Sequence, residues 1–551
     1  MPKGLKVIPL GGVQEIGINS TLVEYGNTQI LVDAGFEFPT DDLYGVDYII
    51  PNISYLKKAK KDLKIFITHG HLDHIGALPF ILPDLNYPEI FCTPIVKELI
   101  LKIFERNNHD FTKLKINLIN SDSIIRLKDF NVKFFGVNHS IPEALSVVVE
   151  TDQGNLVFTG DFKFDRTPEL NNNTEYDKII KYRKEGVLAL FSDSTNSLKP
   201  GHSLSDRSIY LNLSKIIKEV KGRVIIATFS SLLSRIVQLI RIAQITNRKV
   251  LILGRSMQTM VEIAQKLGYI HVDNRIFIDT YAAKKIHDSN LLVIATGAQG
   301  ETFSALNRIA NGQNRDLKLK VSDTVILSSS TIPSNIMQVQ TLIDNLFMKG
   351  ANVLFGDFEI DLHTSGHGLQ EDQKEMIRLT HPKYFIPIHV YQAFLYKHAQ
   401  TAVKVGVNPR NVLIPLRGDV IQFQNQQMKR VDTVAASPIY VSGNQIGDVG
   451  ATILSEREQL ADSGILIISA LIDKGKHALV NAPELIIRGF VFEKGNSELI
   501  SEIKQKVIRI ISKNYDADMN KIKQQIQSEL HAILLQRTGK NPFIIPIINF
   551  N

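Results

Sequence analysis

Cysteine is almost absent: Cys92 is the single one in 551 residues. No intrachain disulfide can form, and a cysteine-built zinc finger or iron–sulfur cluster is excluded. A lone thiol fits a reducing compartment. Long apolar runs are missing too. No stretch approaches the roughly 18 residues of a membrane helix, and 464–472, among the longest, has the length of a core strand. The apolar run near the N-terminus is too short for a signal peptide. These absences predict a cytoplasmic chain with no membrane association. Excess charge is small as well: 63 Lys+Arg against 56 Asp+Glu, a net +7. That balance permits an anionic partner such as nucleic acid without demanding one. No repeat or low-complexity tract is evident. What remains is an ordinary globular composition, 44% hydrophobic and 22% charged. At about 100–200 residues per domain, the length predicts roughly three to five domains.

The first 200 residues read as short runs rich in Ile, Val and Phe, at 5–10, 29–32, 64–68, 132–137 and 156–159. Strand is favoured over helix there. The runs end in polar clusters carrying Asp33, His69 to His74, His139, Asp161 and Asp193. Loops at strand ends are where α/β proteins place chemistry. From Asp206 to about Gly356 the texture changes. Helical periodicity at 209–220 and 232–246 alternates with apolar runs at 223–228, 249–253, 290–295 and 323–328 that read as parallel strands. Strand texture with histidines returns at 355–363 and 384–389. The simplest reading inserts the second domain into the first. Its boundaries are 1–205 and 356–425 for the divided first domain and 206–355 for the insert. A polar linker is expected at 426–450 and a small strand-and-helix domain at 451–551.

The strongest chemical signal is Thr68-His69-Gly70-His71-Leu72-Asp73-His74. Three histidines and an aspartate within six residues suit zinc or a similar divalent ion. The bland alternative is a polar loop that happens to be rich in histidine, but the chain has only 15 histidines in all. In such a loop His69 and His71 can face one ion while Asp73 and His74 face a second. His139, Asp161 and His389 follow other apolar runs. Each alone reads as a cap or turn residue. Together with the cluster they form a set suited to a two-metal hydrolase, with Asp161 able to bridge.

The order His69-x-His71-x-Asp73-His74, His139, Gly160-Asp161 resembles the metallo-β-lactamase superfamily, and Asp33 matches the aspartate of its first motif. Ser192-Asp193-Ser194-Thr195-Asn196, His363-Thr364-Ser365-Gly366-His367 and Ile386-Pro387-Ile388-His389 resemble its β-CASP nucleic-acid branch. FKFDRTP at 162–168, GRSM at 254–257, TGAQGE at 296–301 and IRGFVF at 487–492 extend the likeness to the bacterial ribonuclease J family over essentially the whole chain.

The resemblance implies an α/β protein: an αββα metallo-β-lactamase sandwich, an inserted β-CASP α/β domain and a small C-terminal α+β domain. It implies a metal-dependent RNA phosphodiesterase with 5′-to-3′ exonuclease and endonuclease activity, acting in RNA maturation, rRNA processing and mRNA decay. His69, His71 and His139 would hold one ion and Asp73, His74 and His389 the other, with Asp161 between them and Asp33 orienting the loop. Zinc is favoured by the histidines, while the carboxylates admit manganese or magnesium. Asp73, Asp193 and His367 would be catalytic, the last two as a general-acid pair near the leaving group; the other role open to His367 is phosphate binding. Ser231, with Ser230 beside it, and His363, Thr364, Ser365, Gly366 and His367 would contact RNA, with a 5′ monophosphate preferred. A homodimer or homotetramer is implied, or a heteromer with a paralogue. Some positions depart from the family pattern. Val390-Tyr391 follow the last histidine, Ser230-Ser231-Leu232 and Ser334 stand in the insert, and Leu72 and Ala77 stand in or near the metal loop. A family calcium site would use Gly45 and Asp47, yet its carboxylate position holds Val441. These departures keep open a weakly active paralogue that binds RNA and supports an active partner. A small-molecule hydrolase is disfavoured by the insert itself.

Overall fold

A computed structural model describes the chain except residues 1–3, 41, 60, 171–172, 333–334, 357–360, 444, 492–494 and 516. Ser334 and the middle of the 355–363 run therefore lie outside the described residues. The chain divides into two compact units, Met1–Glu37 with Ile50–Ile439, and Phe38–Ile49 with Tyr440–Asn551.

The first unit holds three large sheets, two of which share a core. One has eight strands in the order Gln427–Thr433, Asp419–Gln424, Leu5–Gly11, Ser20–Tyr25, Thr28–Val32, Asp62–Phe66, Glu89–Cys92 and Ile116–Leu118. The other runs Tyr384–Ile388, Val187–Asp193, Gly154–Phe158, Leu145–Thr151, Asn131–Gly136 and Ile124–Arg126. Successive side chains of a strand point to opposite faces, and here both faces are buried. Phe134, Val147, Leu156, Phe191 and Ile386 pack against Val7, Val23, Ile30 and Phe66 of the facing sheet. Their neighbours Phe135, Val148, Val157, Leu190 and Phe385 pack outward with Ile179, Tyr182, Met376, Ile377 and Ala402 of covering helices. This double burial explains why these strands read as continuous apolar runs. Each fully buried side chain of this size stabilises by roughly 1.5–3 kcal/mol. Phe191, fully buried and stacked on Phe158 at 4.5 Å, is a position where truncation to alanine costs about 3–5 kcal/mol.

The inserted segment forms a five-stranded, wholly parallel sheet in the order Lys249–Leu253, Leu291–Ala295, Val224–Ala227, Thr324–Leu327 and Asn352–Phe355. Helix Asp206–Glu219 begins where Ser205 accepts a hydrogen bond from the Ser208 amide, a cap contributing about 1 kcal/mol. Its apolar side buries Ile209, Leu213, Ile216 and Ile217. Phe355 ends the fifth strand of this sheet and 361–363 are not in a strand, so among the described residues the strand expected at 355–363 does not form.

The expected linker at 426–450 is also corrected. Gln427–Thr433 pairs with Asp419–Gln424 as a hairpin. Asn425 and Gln426 make its turn, both with left-handed φ (50° and 57°), which matches a tight two-residue hairpin loop. The sequence reads as linker because this is an edge strand with mostly exposed side chains. Short strands follow at Ile439–Ser442 and Gln445–Ile446.

In the second unit, Ile465–Asp473 pairs with Glu484–Arg488 antiparallel and Phe543–Phe550 parallel. Leu466, Ile468 and Ile472 pack on Ile503 and Val507 of helix Ser497–Ser512 and on Ile522, Ile526, Leu530 and Leu534 of helix Met519–Thr538. The four-residue spacing in the last helix is a single apolar stripe. The sequence leaves open whether 464–472 and 543–550 bury in a core or an interface. One face is core, while Ile486 and Ile547 stay exposed.

Candidate metal centre

Strands Gly154–Phe158, Val187–Asp193 and Tyr384–Ile388 are parallel neighbours. Their C-terminal ends therefore share one edge, and Asp161, Asp193 and His389 stand there. Thr28–Val32 and Asp62–Phe66 are likewise parallel, which brings Asp33 beside the 68–74 loop. The structure gathers all seven side chains expected as metal ligands. One oxygen or nitrogen from each of His69, His71, His139 and Asp161 lies within 4.8 Å of the others, and so do those of Asp73, His74, Asp161 and His389. Asp161 belongs to both groups. Its Oδ2 is 3.4 Å from His69 Nε2, 3.4 Å from His74 Nε2 and 3.6 Å from His139 Nε2, and its Oδ1 is 3.4 Å from His389 Nε2.

Hydrogen bonds outside the cluster set which nitrogen of each ring points in. His74 Nδ1 is 2.7 Å from Asp33 Oδ2, and His139 Nδ1 is 2.7 Å from the Gly366 carbonyl. Both outer nitrogens face acceptors and carry the proton, so both Nε2 atoms turn inward. Thr68 donates its hydroxyl to Asp33 Oδ2 at 2.9 Å and can only accept from His69 Nδ1 at 3.0 Å. His71 is the exception: its Nδ1 faces in, 3.2 Å from His69 Nε2 and 3.0 Å from His139 Nε2. Outer-shell bonds of this kind fix ring orientation at metal sites.

The electrostatics fit a cation. Burial, reinforced by His69, holds the His71 imidazole down at about 3, and burial with neighbouring imidazoles lowers His69 and His139. These rings are neutral, with lone pairs converging. On the other side burial disfavours protonation of His74, but Asp161, Asp73 and Asp33 outweigh it and raise the ring. His389 is raised against burial by Asp161 and Asp73. The charge those carboxylates draw onto His74 and His389 is the charge a divalent cation supplies. Asp161 Oδ1 is buried without a hydrogen bond.

His367 Nδ1 is 2.8 Å from Asp193 Oδ2. Burial opposes the imidazolium, but Asp193 and Asp161 overcome it and hold His367 up at about 9.

The residues expected to meet RNA divide. Ser231, His363, Ser365 and Gly366 are partly exposed. His363 Nδ1 has no hydrogen bond, and burial, with Arg235 next, pushes its ring down to about 3. Thr364 is buried and its hydroxyl donates to the Leu204 carbonyl at 2.8 Å, so this hydroxyl is not free for a ligand. At Gly366 a Cβ would come within 2.7 Å of the His139 ring, so glycine is required for close approach. Of the departures, Leu232 and Val390 are buried and Tyr391 is exposed. Ser442 Oγ donates to the Gly45 carbonyl and the Gly443 amide to Asp47 Oδ2, both at 2.6 Å.

Two contributors escaped the sequence reading. Asn19 Nδ2 donates to the Asp73 carbonyl at 3.1 Å and lies 3.1 Å from His74 Nε2. Its only signal was the glycine-rich loop around it. Arg235 is fully buried and donates to Ser328 Oγ and the Leu362 carbonyl, placing a positive charge behind His363.

A metallo-β-lactamase fold with a β-CASP insertion is what these observations define. Family models agree: the metallo-beta-lactamase superfamily matches 13–208, the Ribonuclease J beta-CASP domain 221–346 and the Ribonuclease J C-terminal domain 452–550. The chain is 38% identical to Ribonuclease J 1 of Streptococcus pyogenes and 36% identical to Ribonuclease J2 of Bacillus subtilis, each over 99% of this chain and 98% of the relative. A crystal structure of a protein of unknown function from Enterococcus faecalis shares the fold alone, with a TM-score of 0.53 and 14% identity over 76% of this chain and all of that one. The chain belongs to the ribonuclease J family. Among the described residues, no helix is long and apolar enough to cross a membrane.

Proposed function

We propose that this protein is a metal-dependent ribonuclease that hydrolyses RNA phosphodiesters, from a monophosphorylated 5′ end and at internal sites, in RNA maturation and decay. The observation that carries the proposal is the double convergence on Asp161. His69, His71, His139 and Asp161 would hold one divalent ion, and Asp73, His74, Asp161 and His389 a second, with zinc favoured by the imidazoles. Such ions, when bound, polarise the phosphodiester and lower the pKa of an attacking water.

The chain supplies the rest. Asp33, Thr68 and the Gly366 carbonyl hold His74, His69 and His139 in their orientations. His367, kept protonated by Asp193, donates a proton to the leaving oxygen. Neutral His363 and the hydroxyls of Ser231 and Ser365 line the approach to a 5′ phosphate. The Ser365 oxygen already accepts from Asn196 Nδ2 and the His367 amide, which leaves its own proton to donate. The intact ligand set supports an active enzyme over a weakly active RNA-binding paralogue. We further propose that the second unit carries self-association, into a dimer or tetramer. The test of the function is turnover of a 5′-labelled RNA with and without chelator.

A further inference from the structure

We propose that Thr195 is a positioning residue that sets the metal-facing nitrogen of His389 and ties it to the carboxylate that serves His367. The proposal rests on the metal-centre reading above. Thr195 follows Asp193 at the end of strand Val187–Asp193 and is half-buried. Its hydroxyl oxygen lies 2.6 Å from Asp193 Oδ1 and 3.0 Å from His389 Nδ1.

A hydroxyl has one proton to give. Asp193 Oδ1 already accepts the Thr195 amide at 2.9 Å, and a carboxylate oxygen can only accept. The Thr195 proton therefore goes to Asp193 Oδ1. Toward His389 the Thr195 oxygen is then an acceptor, and Nδ1 must carry a proton. With Nδ1 so engaged, Nε2 is the nitrogen that faces the centre, 3.2 Å from Asp73 Oδ2 and 3.4 Å from Asp161 Oδ1.

Asp193 is divided between two tasks by the same arrangement. Oδ1 takes the Thr195 amide at 2.9 Å and its hydroxyl, while Oδ2 takes His367 Nδ1 at 2.8 Å. Two further hydrogen bonds tie the loop down. The Ser194 amide donates to the Ile388 carbonyl, and Ser194 Oγ lies 2.9 Å from the buried His398 Nδ1. His389 itself has a left-handed φ of 74°, a backbone state that needs outside support in a non-glycine residue. The carboxylate–threonine–histidine chain repeats the Asp33–Thr68–His69 chain.

The test compares wild type, Thr195→Val and Thr195→Ser. Valine keeps the branched shape and the amide bond to Asp193 but removes the hydroxyl. Zn2+ affinity is measured by competition with a chromophoric chelator, beside thermal unfolding of the metal-free proteins. We expect Thr195→Val to weaken the more loosely held Zn2+ by about 10- to 100-fold, the range for loss of an outer-shell partner, and Thr195→Ser to restore it. A purely structural role would lower the unfolding temperature and leave affinity unchanged, which overturns the proposal. So would imidazole nitrogen shifts in the zinc-loaded wild type that put the metal on His389 Nδ1, whether or not the valine variant folds. Wild type that takes up no Zn2+ overturns the metal-centre reading and this proposal with it; wild type that binds while Thr195→Val binds equally overturns this proposal alone.

Discussion

His367 Nδ1 and Asp193 Oδ2 are 2.8 Å apart, and the pair sits beside Asp161, whose Oδ2 is 3.9 Å from the same nitrogen. Two carboxylates hold one imidazole protonated at the edge of a cluster in which His69, His71 and His139 are kept neutral. A proton donor thus stands next to a set of lone pairs.

His367→Ala should lower turnover by about 10²-fold or more, as for loss of a general acid, with little change in RNA affinity. Turnover and binding on one labelled RNA check this. A fall in affinity alone would make His367 a phosphate ligand.

The pH dependence has a defined sign. The acid works only while protonated, so the rate should fall as pH rises through about 9 in the wild type. Asp193→Asn removes the carboxylate that raises His367, and the alkaline limb should move to lower pH. Identical limbs in pH–rate profiles of the two proteins would contradict the assignment.

A stability prediction concerns Glu37. Burial, with the Glu15 charge adding to it, pushes its carboxyl up from 4.5 to about 7. The folded state therefore binds this proton more tightly than the unfolded chain. The resulting stability is complete below pH 4.5 and lost as pH rises through 7. Glu37→Gln should raise the unfolding temperature relative to wild type at pH 8 and confer no such gain at pH 4.5.

The two strand-end patterns explain how much was legible. His69 to His74, His139, Asp161 and His389 were visible because each follows an apolar run, and parallel strands bring such ends to one edge. Asn19 was not visible, because a loop with left-handed Gln14 and Ile18 carries it to Asp73, 54 positions away. The direction of the Thr364 hydroxyl depends on the Leu204 carbonyl, which no local pattern announces. Gln427–Thr433 was misread because an exposed edge strand has the composition of a linker.

Assembly is tested by removing 440–551. The exposed Ile486 and Ile547 on the sheet of that unit lead us to expect fewer subunits per particle after the deletion. Light scattering that gives the same number before and after would count against it.

The proposed 5′-phosphate contacts make a prediction about substrate choice. Two RNAs identical except for a 5′ monophosphate or triphosphate should differ in rate, the monophosphate being degraded faster with release of mononucleotides. Equal rates with internal cuts only would leave an endonuclease without the pocket.

The central claim is that the groups around Asp161 work by holding divalent cations. The most direct measurement is cleavage of a 5′-monophosphorylated RNA by metal-stripped wild type, by the same protein after divalent ion is restored, and by Asp73→Ala, each with its metal content. Loss on stripping, recovery on restoration, and neither full metal content nor activity in Asp73→Ala is the predicted result. Full cleavage by the stripped protein, or by Asp73→Ala, would contradict it.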